Sequence, residues 1–209
     1  MSDEPHPNPT VPTVAVVLAA GAGTRFGGPG HKLDADLDGI AIADRAVGAA
    51  VEADIGPVMV ITGANRPVLP SLTDAIADGR VVLVDNPRWA AGQSTSLQVA
   101  IAEARRRHAH AVVVGLADQP FVTAEAWRSV ASSTWPIAVA DYPEGRRNPV
   151  RLHHSVWSLL PTSGDHGARD LIRLRPGLVE PVPCTGSPAD IDTEEDLHSW
   201  QNRSSTNSR

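Results

Sequence analysis

The sequence has a single cysteine, Cys184, in 209 residues. An internal disulfide is therefore excluded, and so is a zinc site built from several thiolates. Positive charge is also scarce: 18 Lys plus Arg face 24 Asp plus Glu, for a net charge of -6. A chain with no global basic field is not a dedicated nucleic-acid binder, although a local basic pocket is still compatible with it. No apolar run approaches the ~20 residues of a membrane-spanning helix. The opening stretch MSDEPHPNPTVP is acidic and Pro-rich and lacks the basic start of a signal peptide. The expectation is a soluble, cytoplasmic protein with neither membrane nor nucleic acid as partner. There is no internal repeat, and no evident Ser/His/Asp or Cys/His triad.

What is present is an ordinary globular composition, 42% hydrophobic and 20% charged, at a length suited to one domain. Residues 1–12 hold four prolines and read as a disordered tail, as does 201–209 (QNRSSTNSR). The domain is expected over 13–200. Short apolar runs at 14–18, 57–62, 81–85, 111–116, 137–140 and 178–182 predict strands. The first four are Val-rich with little alternation, as in strands covered on both faces. Helical patterns fall at about 41–53, 66–77, 94–109, 123–133 and 166–174. A last helix starts near Thr193, with Asp196 placed for a capping box. This alternation predicts a single-domain, three-layer α/β/α sandwich around a mostly parallel, Rossmann-like sheet. The irregular stretch 141–165, rich in Arg, His, Pro and Gly, is a candidate hairpin or lid.

The first predicted strand runs into Gly21-Ala22-Gly23-Thr24-Arg25-Phe26-Gly27-Gly28-Pro29-Gly30-His31-Lys32. A Gly-rich turn after a buried strand brings backbone N–H groups close to an anion, usually a phosphate. A dinucleotide-binding turn would place its third glycine one residue earlier. It would also want an acid after the second strand, where Thr62-Gly63-Ala64 stands. A Walker A loop would follow its lysine with Ser or Thr, whereas Lys32 is followed by Leu33. A nucleoside triphosphate held by Arg25 and Lys32 uses both cations that the other readings leave idle. A plain surface turn with solvated cations is the remaining alternative.

Five segments, in order, resemble those of the molybdenum cofactor nucleotidyltransferases, the MobA-like NTP transferases of the GT-A-like superfamily. They are Leu18-Ala19-Ala20-Gly21 continuing to Lys32, Asn86-Pro87-Arg88-Trp89 continuing through Gly92 to Ser96-Leu97, Asp118-Gln119-Pro120, Gly164-Asp165-His166-Gly167-Ala168-Arg169, and Asp190-Ile191-Asp192-Thr193 with Glu195-Asp196-Leu197. The resemblance spans about residues 13–200. The glycine-to-lysine spacing is about two residues longer here than the family's usual G-x-x-K.

The resemblance implies transfer of a nucleotidyl group, CMP from CTP, to the phosphate of a molybdopterin-type acceptor, with pyrophosphate released and a molybdoenzyme as client. Such a transfer needs charge neutralisation and in-line positioning more than a protein nucleophile. The implied catalytic residues are Arg25, Lys32 and Asp118. Nucleotide contacts would come from Leu18, Ala19, Ala20, Gly21, Gly23, Arg25, Lys32, Gln93 and Ser96. Mg2+ would be held by Asp118 and Asp192, with Asp190 an alternate, and the acceptor by Arg146, Asn148, Asp165 and Arg169. Ala20 and Gln119 resemble the CTP-using branch. Structural alternatives stand beside these roles: Asp118 as a strand-end turn residue, Asp192 as a helix-cap partner, Ser94 or Ser96 as an N-cap. Arg146, Arg147, Asn148, Arg151, His153 and His154 read as a local basic cluster. Other acceptors, an NAD(P)-dependent oxidoreductase and a non-catalytic cofactor chaperone are the competing functions.

Overall fold

The computed structural model describes residues 12–27 and 30–207, the side chains of 203–207 excepted. The tail expected at 1–12 therefore lies almost wholly outside the described residues. All six predicted strands form. They are β1 (Thr13–Leu18), β4 (Val58–Thr62), β5 (Val81–Asp85), β6 (Ala111–Leu116), β7 (Ile137–Tyr142) and β9 (Val179–Pro183). A seventh, β8 (Gly145–His153), joins them in a sheet of order β5-β4-β1-β6-β8-β7-β9. β1 pairs parallel with β4 and β6, while β8 runs antiparallel to β6 and β7. A two-stranded ribbon, β2 (Asp36–Leu37) with β3 (Ile40–Ala41), sits apart.

The strands are apolar because both faces of the sheet are covered. In β1, Ala15 and Val17 pack into one buried cluster, and Val14 and Val16 into another. The first cluster takes in α1 (Ile42–Glu52) through Ala43 and Val47, and α4 (Ala124–Ala131) through Trp127. The second is covered by α3 (Gln93–Arg106), whose Leu97, Ala100, Ile101 and Ala104 follow the spacing of one helix face. α5 (Arg169–Leu174) adds Leu171 on the same side. This is the predicted three-layer sandwich.

Three expectations change. The pattern at 66–77 yields only a 3-10 turn at Pro70–Leu72 and the short α2 (Thr73–Ala77), because Pro67 and Pro70 lack the N–H a helix needs there. The stretch 141–165 is largely sheet: β7 extends to Tyr142 and turns into β8, so the hairpin reading is the right one. The last helix, α6 (Glu194–Asn207), runs through most of the expected C-terminal tail. Its start is the predicted capping box. The Thr193 hydroxyl accepts from Asp196 N–H at 3.1 Å, and the Asp196 carboxylate accepts from Thr193 N–H at 2.9 Å and Asp192 N–H at 3.1 Å.

Candidate active site

β1 and β6 end side by side, with Ala117 N–H donating to Leu18 O at 3.0 Å. The segment after β9 is brought against them by Ile191 N–H, which donates to Asp118 O at 2.9 Å. Asp118 and Asp192 are thereby set together at the carboxyl edge of the sheet, where ligands of open α/β folds gather.

The long Gly-rich loop reaches the same place by folding back. His31 Nδ1 accepts from Leu33 N–H at 3.2 Å, so its Nε2 carries the proton and donates to Gly21 O at 3.0 Å. This brace turns Lys32 inward. Its ammonium donates to Asp118 Oδ2 at 2.6 Å and to Asp192 Oδ1 at 2.8 Å. Arg25, itself exposed, reaches the other Asp192 oxygen at 2.9 Å. Asp118 Oδ1 is buried with no hydrogen-bond partner.

Burial alone would lower the Lys32 pKa, but the facing carboxylates of Asp118 and Asp192 outweigh it and hold the ammonium above its usual range. Asp190, beside the pair, is pushed up by burial and by repulsion from Asp118 and Asp192, although Gln119 Nε2 donates to its Oδ1 at 2.8 Å.

Two cavities open on this cluster. A volume of about 200 Å3 is lined by Leu18, Ala19, Gly21, Gly23, Arg25, Lys32, Asp118 and Asp192. A second of about 340 Å3 lies toward α3 and is lined by Ala20, Trp89, Gln93, Ser96 and Asp165 among others, with Leu18, Gly21 and Asp118 common to both. The floor of the second explains Gly63. A Cβ there would lie 2.6 Å from Trp89 Cβ and 2.8 Å from Ala20 Cβ. An acidic side chain of the dinucleotide-binding kind has no room at that position.

The predicted residues are thus brought together in part. The nucleotide candidates, Asp118 and Asp192 all line one or both cavities, while Asp190, the alternate metal candidate, lines neither. Of the acceptor candidates, Asp165 lines the larger cavity, while Asn148 and Arg169 line a small apolar recess adjoining it. Arg146 is exposed on the β7–β8 hairpin, opposite Asp141, and lines none of these. The basic cluster of the sequence is not a cluster in space. It is strung along β8, with Arg151 nearly buried and donating to Trp135 O at 2.7 Å. A strand rises about 3.4 Å per residue, so Arg146 and His153 sit near opposite ends. Neither Ser94 nor Ser96 is an N-cap: α3 starts at Gln93 with Gly92 in that place. Two contributors escaped the sequence reading. His31 braces the loop, and Asn86, fully buried, donates to Thr95 Oγ1 at 2.9 Å and to Ser96 Oγ at 3.0 Å.

An open, mostly parallel sheet with acidic and basic side chains gathered at its carboxyl edge defines an α/β protein with a candidate ligand site at its strand ends. The chain belongs to the MobA-like NTP transferase domain family, whose model matches residues 15–180. It is a nucleotidyltransferase-type protein. Among curated proteins it is similar to nicotine blue oxidoreductase of Paenarthrobacter nicotinovorans, with 27% identity over 196 residues, 88% of this chain and 93% of that one. Solved structures share the fold. Rv0371c from Mycobacterium tuberculosis H37Rv is 24% identical with a TM-score of 0.73, covering 92% of this chain and 98% of that one. A nucleotidyl transferase from Methanothermobacter thermautotroptrophicus is 21% identical with a TM-score of 0.74, covering 93% and 97%. The mycobacterial protein has also been solved in complex with manganese (23% identity, TM-score 0.66, 91% and 98% covered).

Proposed function

We propose that the chain transfers CMP from CTP to the phosphate of a molybdopterin-type acceptor and releases pyrophosphate. The observation that carries this reading is the Lys32 ammonium held between Asp118 and Asp192, with Arg25 beside it, beneath a Gly-rich loop. The cavity around these residues takes the triphosphate. Arg25 offers a planar fork of donors to the outer phosphates, and Lys32 a charge to the α-phosphate. The larger cavity takes the cytosine, over Ala20 and against Gln93 and Ser96. Asn148, Asp165 and Arg169 border the acceptor. An acceptor phosphate oxygen attacks the α-phosphorus, the bond to the β-phosphate oxygen breaks, and pyrophosphate departs.

Asp118 and Asp192 fit a hard divalent cation. They are two converging carboxylates, one with a buried oxygen that lacks a partner, and Mg2+ takes only one or two protein carboxylates when phosphates complete its shell. When bound, Mg2+ neutralises charge on the triphosphate. Asp118 and Asp192 would hold the cation, and Lys32, which they hold here, would then be free to face the phosphates.

The relative named as an oxidoreductase favours a second reading, hydride transfer on the same scaffold. One experiment separates the two. The protein is incubated with each of four NTPs, Mg2+ and molybdopterin, and pyrophosphate is measured, while a parallel sample receives NADH or NADPH with an electron-accepting dye and is followed by nicotinamide absorbance. Release with CTP above the other three supports the proposal. Release from no NTP, with a nicotinamide absorbance change instead, overturns it.

A further inference from the structure

One imidazole ties the Gly-rich loop to the turn that carries its lysine. Lys32 opens a 3-10 turn, Lys32–Asp34, and His31 is the N-cap of that turn. The His31 ring acts in two places at once. Nδ1 accepts from Leu33 N–H inside the turn, and Nε2 donates to Gly21 O ten residues back. Gly23, at φ 62°, leaves room for this: a Cβ there would lie 3.2 Å from His31 Nε2 and 3.1 Å from Lys32 Cγ. Lys32 also stands apart in composition. It is the only lysine in the chain, against 17 arginines. An ammonium is a compact charge with three donors, where a guanidinium is a planar fork. Two of those donors go to Asp118 and Asp192. The third is unspent, and Lys32 lines the cavity of about 200 Å3.

We propose that His31 is a positioning residue for Lys32, and that its bond to Gly21 O is what seats the lysine turn against the phosphate loop for the transfer. This rests on the nucleotidyltransferase reading and deepens it, by naming how a lengthened loop still delivers its cation. The cap on Leu33 N–H shapes the turn locally, whereas the bond to Gly21 fixes where the turn sits. A lysine whose turn is displaced carries its charge away from the α-phosphate, and a misplacement of about 1 Å can cost a hundredfold in rate. Arg25, which serves the outer phosphates in the same reading, has its own anchor on Asp192. Loss of the His31 bond is therefore felt in the transfer more than in NTP binding.

The test separates the two ring nitrogens. His31→Asn puts an amide oxygen where Nδ1 stands, which keeps the cap but does not reach Gly21. His31→Gln puts an amide N–H where Nε2 stands, which keeps the reach to Gly21. His31→Ala has neither. For wild type and the three variants, kcat and KM for the preferred NTP are measured by pyrophosphate release. Because Lys32 is the only lysine, protein grown with lysine 15N-labelled at Nζ gives one ammonium signal, and its exchange with water reports how firmly that ammonium is held. The expected result for H31Q is a kcat within threefold of wild type and an unmoved ammonium signal. H31N and H31A lose tenfold or more in kcat with KM changed less than threefold, and their ammonium exchanges at least fivefold faster. A part in stability alone would lower the urea midpoint and leave both the kcat of folded protein and the ammonium unmoved. An H31N protein equal to wild type in either readout, or an H31Q protein as impaired as H31A, overturns the inference. If the wild type turns over none of the four NTPs, the nucleotidyltransferase reading falls and the part in transfer falls with it, while the ammonium exchange still decides whether the Gly21 bond places Lys32.

Discussion

Asp118 uses one carboxylate oxygen on Lys32 and leaves the other buried without a partner. A group arranged at that cost is expected to do chemistry. Asp118→Asn keeps the shape and removes the charge. Its expected outcome is a folded protein, by circular dichroism, with pyrophosphate release down at least about a hundredfold, since losing a metal-binding carboxylate costs several kcal/mol at roughly 1.4 kcal/mol per tenfold. Turnover within threefold of wild type would show that the residue is a strand-end turn and nothing more. Cys184 is the reverse case. Burial raises its thiol pKa, the charges of Glu125 and Asp141 add to this, and only a hydrogen bond from the Asp141 backbone works the other way. Alkylation of the native protein at pH 8 should be slower than after unfolding. At this scale the sequence revealed residues whose chemistry is intrinsic, such as Asp118, Asp192, Arg25 and Lys32. It hid His31 and Asn86, whose contributions are hydrogen bonds to groups that meet them only in the folded chain.

At the scale of elements, the start of α3 and the loop after Pro161 are stitched together. Ser94 N–H donates to Gly164 O at 2.9 Å, and Gly164 N–H donates to Ala91 O at 3.2 Å. The approach depends on Gly92, at φ 103°, where a Cβ would lie 2.5 Å from Gly164 O. Gly92→Ala pushes the loop off the helix and carries Asp165 away from Gln93. The expected effect is a raised KM for the NTP and a loss of about 1–3 kcal/mol in urea unfolding. An unchanged KM would mean that this loop does not border the base. Hydrophobic pattern made β1, β4, β5 and β6 legible, because strands covered on both faces need unbroken apolar side chains. β8 was not legible. Arg146 and Arg147 occupy its exposed end, and the pairing with β7 slips between Val139 and Ala140, which inserts Asn148 and Pro149 as extra residues. Asn148 makes good the broken ladder by donating to Val114 O at 3.0 Å, a repair that no periodicity announces.

Across the whole molecule, Lys32 ties together three stretches far apart in the chain, since Asp118 follows β6 and Asp192 precedes α6. Charge complementarity in one site therefore also holds the fold closed, and the two roles can be separated. Lys32→Met leaves two facing carboxylates, with Asp190 near and only the exposed Arg25 on the outer oxygen of Asp192. Removing one member of a largely buried pair costs about 3–5 kcal/mol, so the variant should unfold at lower urea than wild type. The wild-type advantage is itself pH-dependent. Because the folded ammonium is held above the ordinary value of 10.5, the stability it contributes is complete below that pH and is lost as pH rises through the higher folded value. A divalent cation offers a substitute. If Asp118 and Asp192 accept Mn2+, the vacated position in Lys32→Met binds it without competition from the ammonium, and saturation at about 100 times Kd adds ~2.7 kcal/mol. Unfolding curves for both proteins, with and without Mn2+ and in the absence of nucleotide, should show the gap between them closing in metal. A gap of unchanged width would mean that the carboxylate pair is built for lysine alone, and the cation would then have to arrive on the triphosphate.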